Sequence, residues 1–180
     1  MFDSESVLAF WFKSIEPAMW WRKDEAFDAL IAQRFGDLIA HAAQGGCAPW
    51  RDTPEGRLAE IIVLDQFSRN VFRGTPQSFA QDALALRCAQ DAVAAGADKD
   101  LPLEQRAFVY MPFMHSEDPQ VHEQAVVLFD QPGLEGSLDF EHKHKAIIDR
   151  FGHYPHRNAV LGRVSTPEEI AFLQQPFSSF

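Results

Sequence analysis

Apolar residues recur at the helical period along most of the chain, and the strand period of two residues is never sustained. The stretch 23–42 is the clearest example, because its apolar residues fall on one helix face. These residues are Phe27, Leu30, Ile31, Phe35, Leu38 and Ile39. The pattern predicts an all-α protein of about eight helices.

Capping residues indicate where several of these helices begin and end. Asp3 or Ser4 can begin a first helix that runs through Phe12, and Thr53-Pro54 begins a helix that stops at Gly74. Further helices are predicted at 23–42, 76–95, 102–115, from 118 onward, at 138–151 and from 165 onward. In the last of them, Thr166 and Glu169 have the spacing of a capping box. Pro112 predicts a kink or an end in the helix at 102–115.

Short loops between successive helices favour antiparallel helix pairs. We expect these pairs to stack in a TPR-like, α-solenoid-like arrangement, although no repeat of about 34 residues is visible. A chain of 180 residues can bury roughly 70% of its unfolded surface. Residues 1–180 are therefore expected to form a single domain.

Composition and charge narrow the possible partners. The 16 basic and 26 acidic residues give a net charge of −10, which disfavours nucleic-acid binding. Cys47 and Cys88 lack the spacing of a disulfide framework or a zinc site, as expected of a reduced cytoplasmic protein. No apolar run approaches the length of a membrane span. We expect a cytoplasmic protein with no metal, no cofactor, no nucleic acid and no membrane as partner.

The segment LDQFSRNVFRG, residues 64–74, places charges among apolar positions. Asp65 and Arg69 share the helix face of Leu58 and Ile61, and their i,i+4 spacing lets them touch. Isolated charges on a buried face are costly, so the two side chains must be paired or must line a cavity.

Both interpretations of this segment stay open. In the first, Asp65 and Arg69 form a buried ion pair that joins helices. In the second, Arg69, with Arg73 and Arg157, lines a cavity that binds a carboxylate or phosphate. The planar arginine fork suits such anions because it donates two parallel hydrogen bonds.

A second candidate segment is YMPFMHSED, residues 110–118, which follows the predicted kink. His115 with Glu117 or Glu104 could form an acid–base pair, because a carboxylate orients and charges an imidazole. A network that only caps the helix and orders the loop is the alternative.

The helix at 138–151 and the loop after it supply a third set. His144 falls among the apolar residues of this helix, either as a satisfied core histidine or as part of a site. His142 points to the opposite side, so the two histidines do not form a metal pair. The loop adds His156, Arg157 and Asn158.

Four blocks of the sequence resemble an uncharacterised bacterial family with a TPR-like all-α fold. The blocks are FWF at 10–12, LDQFSRNVFRGT at 64–75, YMPFMHSE at 110–117 and FGHYPHRNAVLGR at 151–163. The chain departs from the family pattern at Ser68, His153 and Tyr154, where that pattern has Pro, Arg and Phe. The resemblance implies the fold and supplies no catalytic residues.

Two hypotheses of function follow, and the sequence leaves open whether the protein is an enzyme. The first is a site for a small anionic ligand, for binding or acid–base catalysis, in a cleft of the helical stack. The alternative is a TPR-like adaptor that binds a protein or peptide. The candidate site residues are Asp65, Arg69, Asn70, Arg73, His115, Glu117, His144, His156, Arg157 and Asn158.

Overall fold

The computed structural model describes residues 2–180, and within that range all regular secondary structure is helical. The predicted all-α class is therefore confirmed. The helices are α1 (Ser4–Ala9, continued by the π-helical turn Phe10–Ser14), α2 (Glu25–Ala43), α3 (Pro54–Ile62, continued by the π-helical turn Val63–Phe67 and by Ser68–Val71), α4 (Asp82–Ala94), α5 (Leu103–Met114), α6 (Pro119–Phe129), α7 (Glu135–Phe151), α8 (Asn158–Leu161) and α9 (Pro167–Phe172). Short 3-10 turns at Pro17–Trp21, Ala48–Asp52, Pro76–Phe79, Ala97–Asp100 and Pro155–Arg157 connect them. Among residues 2–180, no helix has the length and apolar character needed to cross a bilayer.

Three of the predicted helix starts are confirmed by their caps. The Asp3 carboxylate accepts the Ser6 amide at 2.8 Å, and the Thr53 hydroxyl accepts the Gly56 amide at 3.0 Å. At the start of α9, both hydrogen bonds of the Thr166–Glu169 capping box are present. These local side-chain bonds satisfy amide groups that the first turn of a helix leaves without partners.

Two helix starts differ clearly from the predicted ones, and Pro112 does not end its helix at once. α4 begins at Asp82, because Pro76–Phe79 forms a separate 3-10 turn. α7 begins at Glu135, three residues before the predicted start, with Gly136 inside its first turn. α5 continues through Pro112 to Met114. Because this proline lies in the last turn, it removes only one hydrogen bond before the helix ends.

The chain divides into two compact units, and each is described by itself. Unit 1 contains residues 2–73 and 77–112, and unit 2 contains 74–76 and 113–180. In unit 1, α3 packs against α1, α2 and α4, and its residues 58–68 are all buried. A helix that is apolar on nearly all sides is thus central to its unit. The single domain at 1–180 stays a prediction.

Unit 2 is built on the packing of α6 against α7. Its apolar core contains Ile147, Ile148 and Tyr154, with Phe151 and Phe172 packed around them. The chain turns sharply after α7 at Gly152, whose positive φ of 72° suits glycine. The loop after α7 therefore brings Tyr154 back onto the helix. The TPR-like stacking of helix pairs stays a prediction.

The two π-helical turns were not anticipated from the sequence. In each, a serine hydroxyl donates to the carbonyl five residues earlier, Ser14 to Ala9 at 3.1 Å and Ser68 to Val63 at 3.5 Å. Both turns contribute to the aromatic core of unit 1, where the Trp11 and Phe67 rings are 5.6 Å apart. π-turns are frequent at functional sites, and several polar residues surround the turn in α3.

Candidate functional site

Arg69 lies between two carboxylates in unit 1. Its Nη1 is 2.8 Å from Asp65 Oδ1, so the predicted i,i+4 pair is present. Its Nη1 and Nη2 also donate to the two oxygens of Asp82 on α4, at 2.8 and 3.0 Å. The Gln66 amide donates to the second Asp65 oxygen at 2.6 Å. The Asp65 side chain is 1% exposed, against 19% for Arg69 and for Asp82. Arg69 thus holds Asp65 of its own helix and Asp82 of α4.

Asn70 and Arg73 share a single acid on α2. The Asn70 amide donates to Asp28 Oδ1 at 2.7 Å, and Arg73 donates to both Asp28 oxygens at 2.6 and 2.9 Å. This hydrogen bonding is the largest cause that raises the pKa of Arg73. The candidate residues of unit 1 therefore join α3 to α2 and α4, as the ion-pair interpretation anticipates.

Three successive backbone carbonyls at and just after the end of α5 accept side-chain donors within unit 2. The last carbonyls of a helix have no partner inside the helix, so such contacts cap its end. The hydrogen bonds are Tyr154 Oη to Met114 O at 2.6 Å, Arg157 Nη2 to His115 O at 2.8 Å and His122 Nε2 to Ser116 O at 2.8 Å. The blocks at 110–117 and 151–163 thus contact each other, which the sequence did not reveal.

Glu117 is held by the loop that follows α7. Its two oxygens accept Arg163 at 2.8 and 2.9 Å, and Oε1 also accepts the Tyr154 amide at 2.8 Å. Burial alone would raise the pKa of Glu117. The Arg163 and Tyr154 hydrogen bonds, helped by the charge of Arg157, outweigh burial and hold the pKa below its usual range. Glu117 is therefore an ionised anchor for this loop, and the contacts do not pair it with His115 as an acid–base couple.

A buried histidine–glutamate pair joins α6 to α7. His122 Nδ1 is 2.7 Å from Glu141 Oε1, and both side chains are fully buried. His122 Nε2 faces the Ser116 carbonyl, which can only accept, so this nitrogen must carry a proton. Burial raises the pKa of Glu141, although His122 opposes the rise. One proton is therefore shared between His122 Nδ1 and the Glu141 carboxyl group. The other carboxyl oxygen, Glu141 Oε2, has no hydrogen-bond partner.

The sequence contained a signal for this pair that was not used. His122 falls on the same face of α6 as Ala125 and Phe129, at i, i+3 and i+7, and both are buried. A histidine on the apolar stripe of a helix requires a partner, in the same way as Asp65 on α3. Its partner Glu141 could not be identified from spacing, because the two helices meet only in the fold.

Tyr154 lies at the centre of several imidazoles in unit 2. We call His122, His144, Tyr154 and His156 the histidine–tyrosine cluster. The Tyr154 ring centroid is 6.3 Å from that of His122, 5.8 Å from that of His144 and 5.5 Å from that of His156. His122 Nε2 is also 3.3 Å from Tyr154 Oη. The guanidinium of Arg157 lies over the Tyr154 ring at 4.7 Å.

Among the imidazoles of the cluster, His144 has the best-defined protonation state. Its Nδ1 donates to the Phe140 carbonyl at 2.7 Å, which leaves Nε2 as the acceptor in the neutral ring. Burial lowers the pKa of His144 to about 3; the Phe140 hydrogen bond opposes this, and neighbouring histidines add to it. His144 is therefore neutral at physiological pH and can accept a hydrogen bond there.

Asn158, the last of the predicted site residues, joins α8 to the start of α9. Its Nδ2 donates to Ser165 Oγ at 3.1 Å and to Glu169 Oε2 at 3.3 Å.

The structure places the predicted site residues in two groups. Asp65, Arg69, Asn70 and Arg73 lie in unit 1, and His115, Glu117, His144, His156, Arg157 and Asn158 lie in unit 2. Within 2–180, no three His, Cys, Asp or Glu side chains are grouped so that they could hold a metal ion.

Comparison with known proteins gives a family and a close structural relative. Residues 7–177 match the family described as bacterial protein of unknown function (DUF924). A solved structure of a protein of unknown function from Agrobacterium tumefaciens is 38% identical, with a TM-score of 0.91. The match covers 95% of this chain and 96% of that one. No curated protein matches the sequence. The resemblance found in the four sequence blocks is thereby confirmed, and the chain belongs to the DUF924 family of bacterial proteins of unknown function.

Proposed function

We propose that the histidine–tyrosine cluster of unit 2 binds a small anionic molecule. The observation that carries the proposal is the convergence of three imidazoles within 6.3 Å of the Tyr154 ring, with Arg157 against the same ring. Polar side chains gathered from separate segments among aromatic rings are typical of ligand sites. Three of the residues predicted from the sequence belong to this proposed site, namely His144, His156 and Arg157.

The charges around Tyr154 favour an anion. Arg157 and Arg163 contribute two positive charges, and Glu117, which interacts with both, contributes one negative charge. The buried pair of His122 with Glu141 shares one proton and adds no net charge. A partly buried positive charge attracts a carboxylate or phosphate more strongly than a charge in water does.

Binding is better supported than acid–base catalysis. His144 has a pKa of about 3, so it is a poor proton acceptor at neutral pH. His122 is enclosed on all sides. His156 is the half-buried imidazole of the cluster. The proposal therefore assigns hydrogen bonding and charge attraction to these groups, and no reaction.

The test is a titration with inorganic phosphate and with acetate, followed by the imidazole NMR signals of the protein. We expect saturable shifts at His156 and His144, and none at His142, which is exposed on α7. Saturation should be lost in His156→Ala and kept in the matched variant His142→Ala. Shifts at His142 that equal those at His156 would reflect ionic strength alone and would exclude the site.

An adaptor role is the second candidate, and one exposed aromatic residue supports it. Trp21 in unit 1 is 63% exposed, and its ring is stacked parallel to Phe108 at 6.0 Å. Exposed tryptophans held by a rigid support often anchor protein partners. The test compares the partners retained by the wild type and by Trp21→Ala. Identical partners for both proteins would exclude this role for Trp21.

A further inference from the structure

The ring of Phe180 lies on the histidine–tyrosine cluster. Its centroid is 3.7 Å from that of His144, with the rings 26° from parallel. It also approaches His156 edge-on at 6.4 Å. Phe180 is 39% exposed, whereas His144 beneath it is 5% exposed. The cluster therefore presents a stacking surface that a flat ring of the chain itself covers.

In the segment that carries Phe180, the buried Ser178 hydroxyl donates to Leu173 O at 3.2 Å, whereas the Phe177 side chain is held only by weak contacts. Within residues 2–180, Phe177 is the only non-glycine residue with a positive φ, at 59°, and such a conformation is unfavourable for a bulky side chain. Its ring is 62% exposed and lies 4.8 Å from Lys143 Nζ. Cation–π contacts at exposed positions are weak. The place of the Phe180 ring on His144 is thus open to competition from another ring.

We infer that the ligand of this site is an aromatic carboxylate and that Phe180 occupies the place of its ring in the free protein. This rests on the proposed function and specifies its ligand class. The ring would stack on the neutral imidazole of His144. The carboxylate would lie toward His156 and Arg157, where the positive charge of Arg157 attracts it. A carboxylate on an aliphatic ring has the same charge, but its ring has no flat aromatic face and cannot stack.

The experiment uses benzoate, with cyclohexanecarboxylate as the matched non-aromatic probe, and follows the imidazole NMR signals of His144 and His156. We expect benzoate to bind about five-fold or more tightly than cyclohexanecarboxylate. We also expect Phe180→Ala to bind benzoate several-fold more tightly than the wild type, because the competing ring is gone. The control is Phe2→Ala, which removes an exposed phenylalanine from a different histidine, His41.

The outcomes separate this inference from the proposed function. If benzoate and cyclohexanecarboxylate bind equally well to the wild type and to Phe180→Ala, the ligand is not an aromatic carboxylate. Saturable binding of acetate or phosphate would still support the anion site. Weaker benzoate binding by Phe180→Ala would show that Phe180 belongs to the binding surface, and would overturn its role as a stand-in. If no anion shifts His144 or His156 in either protein, both proposals fail.

Discussion

At the scale of single residues, Arg69 explains how charges are tolerated on the most buried helix of unit 1. Its side chain contacts Asp65 and Asp82 at 2.8 Å, and Asp65 is 1% exposed. Arg69→Ala removes the cation from this buried carboxylate. We expect a loss of about 3 kcal/mol in the free energy of unfolding, measured with urea.

The matched control for this variant is Arg22→Ala. Arg22 is 66% exposed and lies 3.5 Å from Asp24, and exposed pairs contribute about 0–1 kcal/mol. If Arg69→Ala lowers the free energy of unfolding as little as the control does, Arg69 is not chiefly structural. The anion interpretation of 64–74 would then regain support.

The pair of Glu141 with His122 allows a second prediction at this scale. Glu141→Gln keeps a group that can donate to His122 Nδ1, so the free energy of unfolding should fall by less than about 1 kcal/mol. Glu141→Leu leaves the buried Nδ1 of His122 without a partner and should cost about 1–3 kcal/mol. Both values come from urea unfolding at neutral pH. Equal losses in the two variants would mean that an amide cannot replace the Glu141 carboxyl group as the partner of His122 Nδ1.

At the scale of elements, the carbonyls at the end of α5 accept two of the hydrogen bonds that link the blocks at 110–117 and 151–163. The end of α5 is capped by donors from α6 and from the loop after α7. The sequence predicted this helix, because its period and its proline are local features. It did not predict the capping donors, which approach from 6 to 42 residues away in the chain.

Tyr154→Phe tests that capping. The variant keeps the ring but removes the hydroxyl that donates to Met114 O at 2.6 Å. Because the carbonyl is buried, we expect a loss of about 1–2 kcal/mol in unfolding free energy. Amide hydrogen exchange should also become faster in the last turn of α5, with α2 unchanged as the internal reference. Unchanged exchange at residues 113–116 would show that the hydroxyl does not stabilise this end.

At the scale of the whole molecule, the helical class followed from periodicity and caps, both of which act within a few residues. The candidate site was only partly predictable. His144 and Asp65 stood out because each is a polar residue on an apolar helix face. Tyr154 did not stand out, because a buried tyrosine is an ordinary core residue until its neighbours are known. Nor could the sequence show that the candidates divide between two compact units.

The burial of His144 couples the stability of the folded chain to pH. The pKa of His144 is about 3 in the folded state and about 6.5 when unfolded. Below pH 6.5 the unfolded chain therefore binds more protons, so stability is full above this pH and is lost progressively as the pH falls toward 3. Between pH 7 and 5.5, above the usual range of carboxylates, the contribution of His144 should fall by about 1 kcal/mol.

Urea unfolding of the wild type, His144→Gln and His142→Gln at several pH values measures this loss. The wild type and His142→Gln should lose stability in parallel as the pH falls, because the exposed His142 has no comparable burial. His144→Gln should show a flatter profile, since it has no proton to gain on unfolding at this position. If the wild type and His144→Gln instead lose stability in parallel, His144 is protonated as easily in the folded chain as in the unfolded one. Below about pH 6.5 an aromatic ring would then meet a charged imidazole, and the neutral stacking surface on which Phe180 lies would be lost at those pH values.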